Sequence, residues 1–220
     1  MKLFKINKLI NFFNKNKNKP EPKLNGEEEF LYEIDKEAIN DYPLLSFTGK
    51  IRLIETYHDL HHLDKIKSGM TIGFDSESRP SFNKGEHYPI SLIQLATETE
   101  AFLIRINKLN YPPELTRILS NPSITKIGLG LKGELRDIEK YSSSKCVSFV
   151  DLETIARKLR FKQRGVRALA GFFFKGRISK KAQKSNWEKF NLSDSQILYA
   201  ATDAWVVLKI YREMMKRKFI

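Results

Sequence analysis

Gly73-Phe74-Asp75-Ser76-Glu77 follows the apolar Met70-Thr71-Ile72 and reads as the end of a β-strand. Asp75 and Glu77 are two residues apart, so on an extended chain their side chains share one face. Two carboxylates side by side repel each other. A hard divalent cation, Mg²⁺ or Mn²⁺, relieves that repulsion because it prefers oxygen ligands. The alternative is a solvated Asp-x-Glu on an edge strand, and the pair alone leaves both readings open.

The flanking sequence supplies the rest of the architecture. Lys50-Ile51-Arg52-Leu53-Ile54 alternates as a first strand does, and residues 71–75 form the second. Between them Thr56 is an N-cap for a helix reaching about residue 67, where Ser68-Gly69 ends it. That helix carries His58, His61 and His62 at spacings that suit a metal, among ordinary helix-surface residues. Residues 79–88, with Pro80 and Gly85, read as a loop. Residues 89–97 and 101–105 are apolar runs separated by Glu98-Thr99-Glu100, a hairpin signature and so an antiparallel pair. Pro112 and Pro113 open a helix through Leu119. Strands over 124–129 and 147–151 enclose a helix at 132–140, and helices follow over 152–159, 166–174 and 194–216. This order predicts an α/β layered fold: a mixed sheet of five or six strands, the first three antiparallel, flanked by helices.

The chain has 220 residues, 41% hydrophobic and 30% charged, which suits one folded domain with an appendage. Residues 1–45 read as a basic N-terminal extension and linker, and residues 46–220 as the domain. The first nineteen residues mix Lys and Asn with Leu3, Phe4, Ile6 and Leu9, without the apolar run of a secretory signal. They are compatible with a short basic amphipathic helix or a mobile tail. No apolar run approaches the ~18 residues of a membrane span. The single cysteine, Cys146, excludes a disulfide framework and a zinc site built on several cysteines, and fits a reducing, cytoplasmic setting. Its apolar neighbours predict burial rather than reactivity.

Net charge is +13, and its distribution is uneven. Residues 155–190 hold twelve cations and one acid, Glu188. Such an excess attracts polyanions, of which nucleic acid is the commonest. Near the C-terminus Tyr199 and Asp203 stand four apart, one turn from each other on one helix face. Gly128-Leu129-Gly130-Leu131-Lys132-Gly133 fits the dinucleotide-binding pattern between a strand and a helix, with Asp151 further on. An NAD-binding oxidoreductase, however, leaves Asp75, Glu77, Tyr199 and the basic stretch without a role.

Six motifs in order carry a resemblance: Phe-Asp-Ser-Glu at 74–77, Ser-Leu-Ile-Gln-Leu-Ala-Thr at 91–97, Lys-Ile-Gly-Leu-Gly-Leu-Lys-Gly-Glu-Leu at 126–135, Val-Asp-Leu at 150–152, Lys-Ser-Asn-Trp at 184–187 and Gln-Ile-Leu-Tyr-Ala-Ala-Thr-Asp-Ala at 196–204. Together they resemble the 3′–5′ exonucleases of the DEDD superfamily. The subgroup is the one with a tyrosine in its third motif, typified by ribonuclease D and the Werner helicase exonuclease domain. The resemblance covers about residues 51–216. It implies a ribonuclease H-like fold and two Mg²⁺ or Mn²⁺ ions, with no other cofactor. Asp75, Glu77 and Asp203 would hold the first ion, and Asp75 would bridge to the second, which leans on Glu134. Tyr199 would orient the attacking water, and nucleoside 5′-monophosphates would leave the 3′ end of DNA or RNA.

One position departs from the pattern. The family places an aspartate where this chain has Glu134, one methylene longer, with Asp137 one helical turn on. That departure keeps open an alternative, a nucleic-acid-binding protein with a degenerate nuclease site. Lys180, Lys181 and Lys184 with Trp187 suit the phosphates and a base of a single-stranded or 3′-ended nucleic acid. Burial beneath the last helix is the competing reading for Trp187, and core packing the reading for Phe172, Phe173 and Phe174.

Overall fold

The apolar runs between turn signals become one six-stranded sheet, described in a computed structural model for residues 30–83 and 85–220. Its strands are β1 (Lys50–Ile54), β2 (Thr71–Ser78), β3 (Ile90–Ala96), β4 (Glu100–Arg105), β5 (Thr125–Gly128) and β6 (Phe149–Asp151). Across the sheet they run β1-β4-β3-β2-β5-β6. β2, β3 and β4 are antiparallel neighbours, whereas β1 lies parallel to β4, β5 to β2, and β6 to β5. The antiparallel trio is therefore the second to fourth strands, not the first three. The cause lies in the β1–β2 connection, a 3₁₀ segment (Tyr57–Lys65) that carries the chain to the sheet centre and leaves β1 at an edge. Thr56 does cap that segment, in a reciprocal arrangement with Asp59, but the expected α-helix is this tighter turn.

The helices are α1 (Ile106–Leu109), α2 (Pro113–Leu119), α3 (Lys132–Ser142), α4 (Leu152–Lys158), α5 (Val166–Phe174) and α6 (Asp194–Lys216). Alternation along β2 and β3 feeds two cores. Ile72, Phe74, Ile93 and Leu95 pack with Leu60, Leu63, Leu115, Ile118 and Ile138. Leu92, Ala96, Ala101 and Leu103 pack beneath α6 with Ala200, Ala201 and Ala204. The result is a sheet covered on both faces. Lys126, fully buried in β5, donates from Nζ to the carbonyls of Ile118, Asn121 and Ile124 at 3.3, 3.0 and 2.8 Å. It thereby satisfies acceptors at the C-terminal end of α2.

The compact unit begins at Leu31, ahead of the boundary expected at residue 46. Ile34 and Ile39 are buried with Ala168 of α5. Part of the basic stretch is used to fasten this segment: Lys162 pairs with Glu33, Arg167 donates to Asn40 Oδ1, and Arg177 Nε to the Tyr42 carbonyl. The basic helix considered for the N-terminus lies outside the described residues.

α6 rests directly on β2 at Gly73. A Cβ at Gly73 would overlap the carbonyl oxygen of Ala204. Gly73→Ala is therefore expected to push α6 away and destabilise the domain by about 1–3 kcal/mol, read as a lower urea midpoint. Gly133→Ala, in an open helical position of α3, is expected to leave stability equal or up to ~1 kcal/mol higher in the same assay.

Candidate active site

Asp75 and Glu77 lie on β2, and the close approach at Gly73 brings α6 and Asp203 over them. One carboxylate oxygen from each of Asp75, Glu77 and Asp203 falls within 4.8 Å of the others. The pairing of β2 with β3 shifts between Glu77 and Ser78, which turns the strand end out of the ladder just past the pair. The phase of α6 is set at its start. Ser193 and Gln196 form a capping box, and Gln196 Nε2 donates to Ser185 Oγ and the Asn186 carbonyl. Tyr199 and Asp203 then follow on one face, with the Tyr199 hydroxyl close enough to the Asp203 carboxylate to oppose the rise of its pKa.

Glu134 enters from the other side of the sheet, in the first turn of α3. The Ser76 side chain lies close enough to oppose the rise of its carboxyl, and its Oε2 is buried without a partner. It stands outside the tight trio, yet its charge acts on both Asp75 and Glu77. Asp137, one turn on, is instead bonded to His87 Nε2 at 3.0 Å. The turn into α3 explains the glycine-rich stretch. Gly130 has φ +74°, and its N–H donates to Asp151 Oδ1 at 2.9 Å. That same oxygen accepts the Glu153 N–H and caps α4. Gly128 is packed against Leu131 and the Phe74 carbonyl. The stretch therefore closes on the protein's own Asp151, which removes the dinucleotide reading and gives the Val-Asp-Leu motif its structural role.

Burial pushes all four carboxyls up. For Asp75 burial acts first, then the charges of Asp203, Glu77 and Glu134, and its carboxyl lies well above the usual range. Glu77 is raised to about 9 by burial and by Asp203 and Glu134. Glu134 is raised to about 7 by burial and the Asp151 charge, against the opposing effect of the Ser76 hydroxyl. Asp203 is raised to about 7 by burial, against the opposing Tyr199 hydroxyl. Among the described residues no Lys or Arg forms an ion pair with any of the four. Asp203 Oδ1, like Glu134 Oε2, is buried and unpartnered. Repelling carboxylates, orphaned oxygens and no countercharge are a donor set that fits hard divalent cations.

The other expected residues divide. Lys180, Lys181 and Lys184 are exposed in the segment before α6. Trp187 is fully buried, so it offers no face to a base; its ring lies 6.0 Å from that of Tyr199 and backs it. Phe173 is core, with Phe172 and Phe174 half-buried beside it. His61 Nδ1 bonds the His58 carbonyl at 2.6 Å, and the three histidines form no metal-binding group among the described residues. Cys146 is half-buried, and burial pushes its thiol up to about 11. Arg105 went unnoticed in the sequence, although a cation closing an apolar strand was its signal. It is fully buried, paired with Glu55, and donates to the Lys189 and Phe190 carbonyls, which anchors the segment ahead of α6.

Fold and site thus define an α/β domain with a carboxylate cluster suited to divalent cations. The sequence matches the 3′–5′ exonuclease family over residues 51–218, and the chain belongs to that family. It is 31% identical over 195 residues to the mouse bifunctional 3′-5′ exonuclease/ATP-dependent helicase WRN, covering 82% of this chain but only 14% of that protein. Among solved structures, the Aedes aegypti Nibbler EXO domain superposes with a TM-score of 0.70 at 22% identity, over 79% of this chain and 92% of that one. Trypanosoma brucei RNase D in complex with RNA U12 gives a TM-score of 0.68 at 16% identity, over 79% and 70% respectively. The fold is accordingly ribonuclease H-like. Among the described residues no helix is long and apolar enough to cross a membrane.

The raised carboxyls fix the sign of a pH effect. The metal-free folded state holds protons that the unfolded chain releases near pH ~4, so stability falls as pH rises through the folded values. With Asp203 and Glu134 at about 7 and Glu77 at about 9, the Tm of metal-free protein should fall between pH 5 and pH 9. Mn²⁺ should raise Tm far more at pH 8 than at pH 5, as measured by calorimetry.

Proposed function

We propose that this domain is a metal-dependent 3′–5′ exonuclease that releases nucleoside 5′-monophosphates from the 3′ end of single-stranded DNA or RNA. The observation that carries the reading is the Asp75–Glu77–Asp203 cluster, oxygens within 4.8 Å, beside the hydroxyl of Tyr199. Asp75, Glu77 and Asp203 would hold one cation, and Asp75 with Glu134 a second. Two bound Mg²⁺ or Mn²⁺ ions supply charge neutralisation at the scissile phosphate and lower the pKa of water at the site.

The protein's own groups do the positioning. Burial and the neighbouring carboxylates hold the Tyr199 hydroxyl well above its usual range, so it stays protonated near neutrality. It therefore acts by orienting the attacking water through a hydrogen bond rather than by removing a proton. Trp187 fixes its ring from behind. Exposed Lys180, Lys181 and Lys184 would meet the phosphates of the incoming strand.

Glu134, a methylene longer than the aspartate of the family pattern and outside the tight trio, favours a second, weaker reading, a nucleic-acid-binding domain of reduced activity. Degradation of labelled DNA and RNA oligonucleotides with Mn²⁺ separates the two readings. The nuclease reading expects stepwise shortening from the 3′ end, abolished in Asp75→Ala and reduced on the order of 100-fold in Tyr199→Phe. Binding without shortening at high protein concentration, or full activity in Asp75→Ala, contradicts it.

A further inference from the structure

Gln94 stands in the middle of β3, inside the Ser-Leu-Ile-Gln-Leu-Ala-Thr motif, and is fully buried. Neither its Nε2 nor its Oε1 has a hydrogen-bond partner. Its neighbours on that face of the sheet, Leu92, Ala96 and Leu103, are apolar and pack under Ala200, Ala201 and Ala204 of α6. An unbonded amide in such company weakens a fold, and a Leu or Met of similar volume would fill the position with no polar penalty.

The strand register shows what the amide is near. Gln94 is paired directly with Asp75 on β2 and with Leu103 on β4. Directly opposed residues point to the same face with Cβ atoms about 4.5–5.5 Å apart, which a glutamine amide spans to reach a carboxylate. The only polar side chain opposite Gln94 in the two adjoining strands is thus that of Asp75.

We propose that Gln94 is a positioning residue for Asp75, its Nε2–H donating to the Asp75 side chain and holding it in the orientation that ligates a cation. The inference rests on the metal-dependent reading above. A hydrogen bond behind a ligating carboxylate fixes the orientation of the oxygen it presents to a cation. The orphaned amide of the metal-free protein thereby gains a use in the loaded one.

Mn²⁺ binding to purified full chain, followed by the electron paramagnetic resonance signal of free Mn²⁺, tests it alongside thermal melting of the metal-free protein. Gln94→Met is expected to lower Mn²⁺ affinity ~10-fold or more, the effect of removing a hydrogen-bond partner behind a metal ligand. Its metal-free Tm should be equal to or above that of the unsubstituted protein, and its KM for an oligonucleotide at saturating Mn²⁺ unchanged. Gln94→Leu serves as a second variant and should behave alike. Unchanged Mn²⁺ affinity in either folded variant overturns the proposal, as does a lower Tm with unchanged affinity, which marks a purely structural residue. If the unsubstituted protein itself fails to bind Mn²⁺, it is the metal-dependent reading that falls, and the role of Gln94 with it.

Discussion

The candidate site exists because α6 lies against β2 with no side chain between them. At Gly73 the strand backbone meets the Ala204 carbonyl, and a single methyl group there would separate the two elements. Ala200, Ala201 and Ala204 continue the same close seam over β3 and β4. The helix is thereby held at a height where Asp203, one residue before the contact, reaches the carboxylates of Asp75 and Glu77. The capping box at Ser193 and the bonds of Gln196 fix its rotation, so that Tyr199 arrives on the same face. Backbone proximity, more than any one polar contact, sets the geometry.

That geometry is electrostatically frustrated without a counterion. Three carboxylates crowd one place, and a fourth, on Glu134, acts on two of them from across the sheet. Burial and mutual repulsion keep them protonated well above the usual range, and two of their oxygens have no partner. Gln94 adds an unsatisfied amide within the same seam. A chain selected for stability alone would place hydrocarbon at these positions. Concentrated local violations of packing and polar rules mark functional sites, and here they converge on one end of β2.

Much of this was legible in the sequence because the signals are local. The Asp75–Glu77 spacing fixed a shared strand face, and the Tyr199–Asp203 spacing a shared helix face. The hairpin between β3 and β4 followed from two apolar runs around a polar turn. What was not legible depends on distant partners. The place of β1 beside β4 is set by a connection that crosses the sheet, so local alternation is silent about it. Trp187 beside three lysines looks like a stacking residue until α6 covers it. The glycine-rich run at 128–133 has the same local chemistry whether it serves a pyrophosphate or Asp151, and only the β5–β6 pairing decides for Asp151. Likewise the basic stretch reads as one polyanion-binding surface, whereas Lys162, Arg167 and Arg177 are spent on the segment ahead of β1.

The central claim is that Asp75, Glu77 and Asp203 form a divalent-cation site. Its most direct test is an anomalous difference map from crystals of the protein grown with Mn²⁺. The account predicts a peak in contact with carboxylate oxygens of all three residues. A well-ordered cluster with no peak, or manganese bound only elsewhere, such as at His58, His61 and His62, would contradict it.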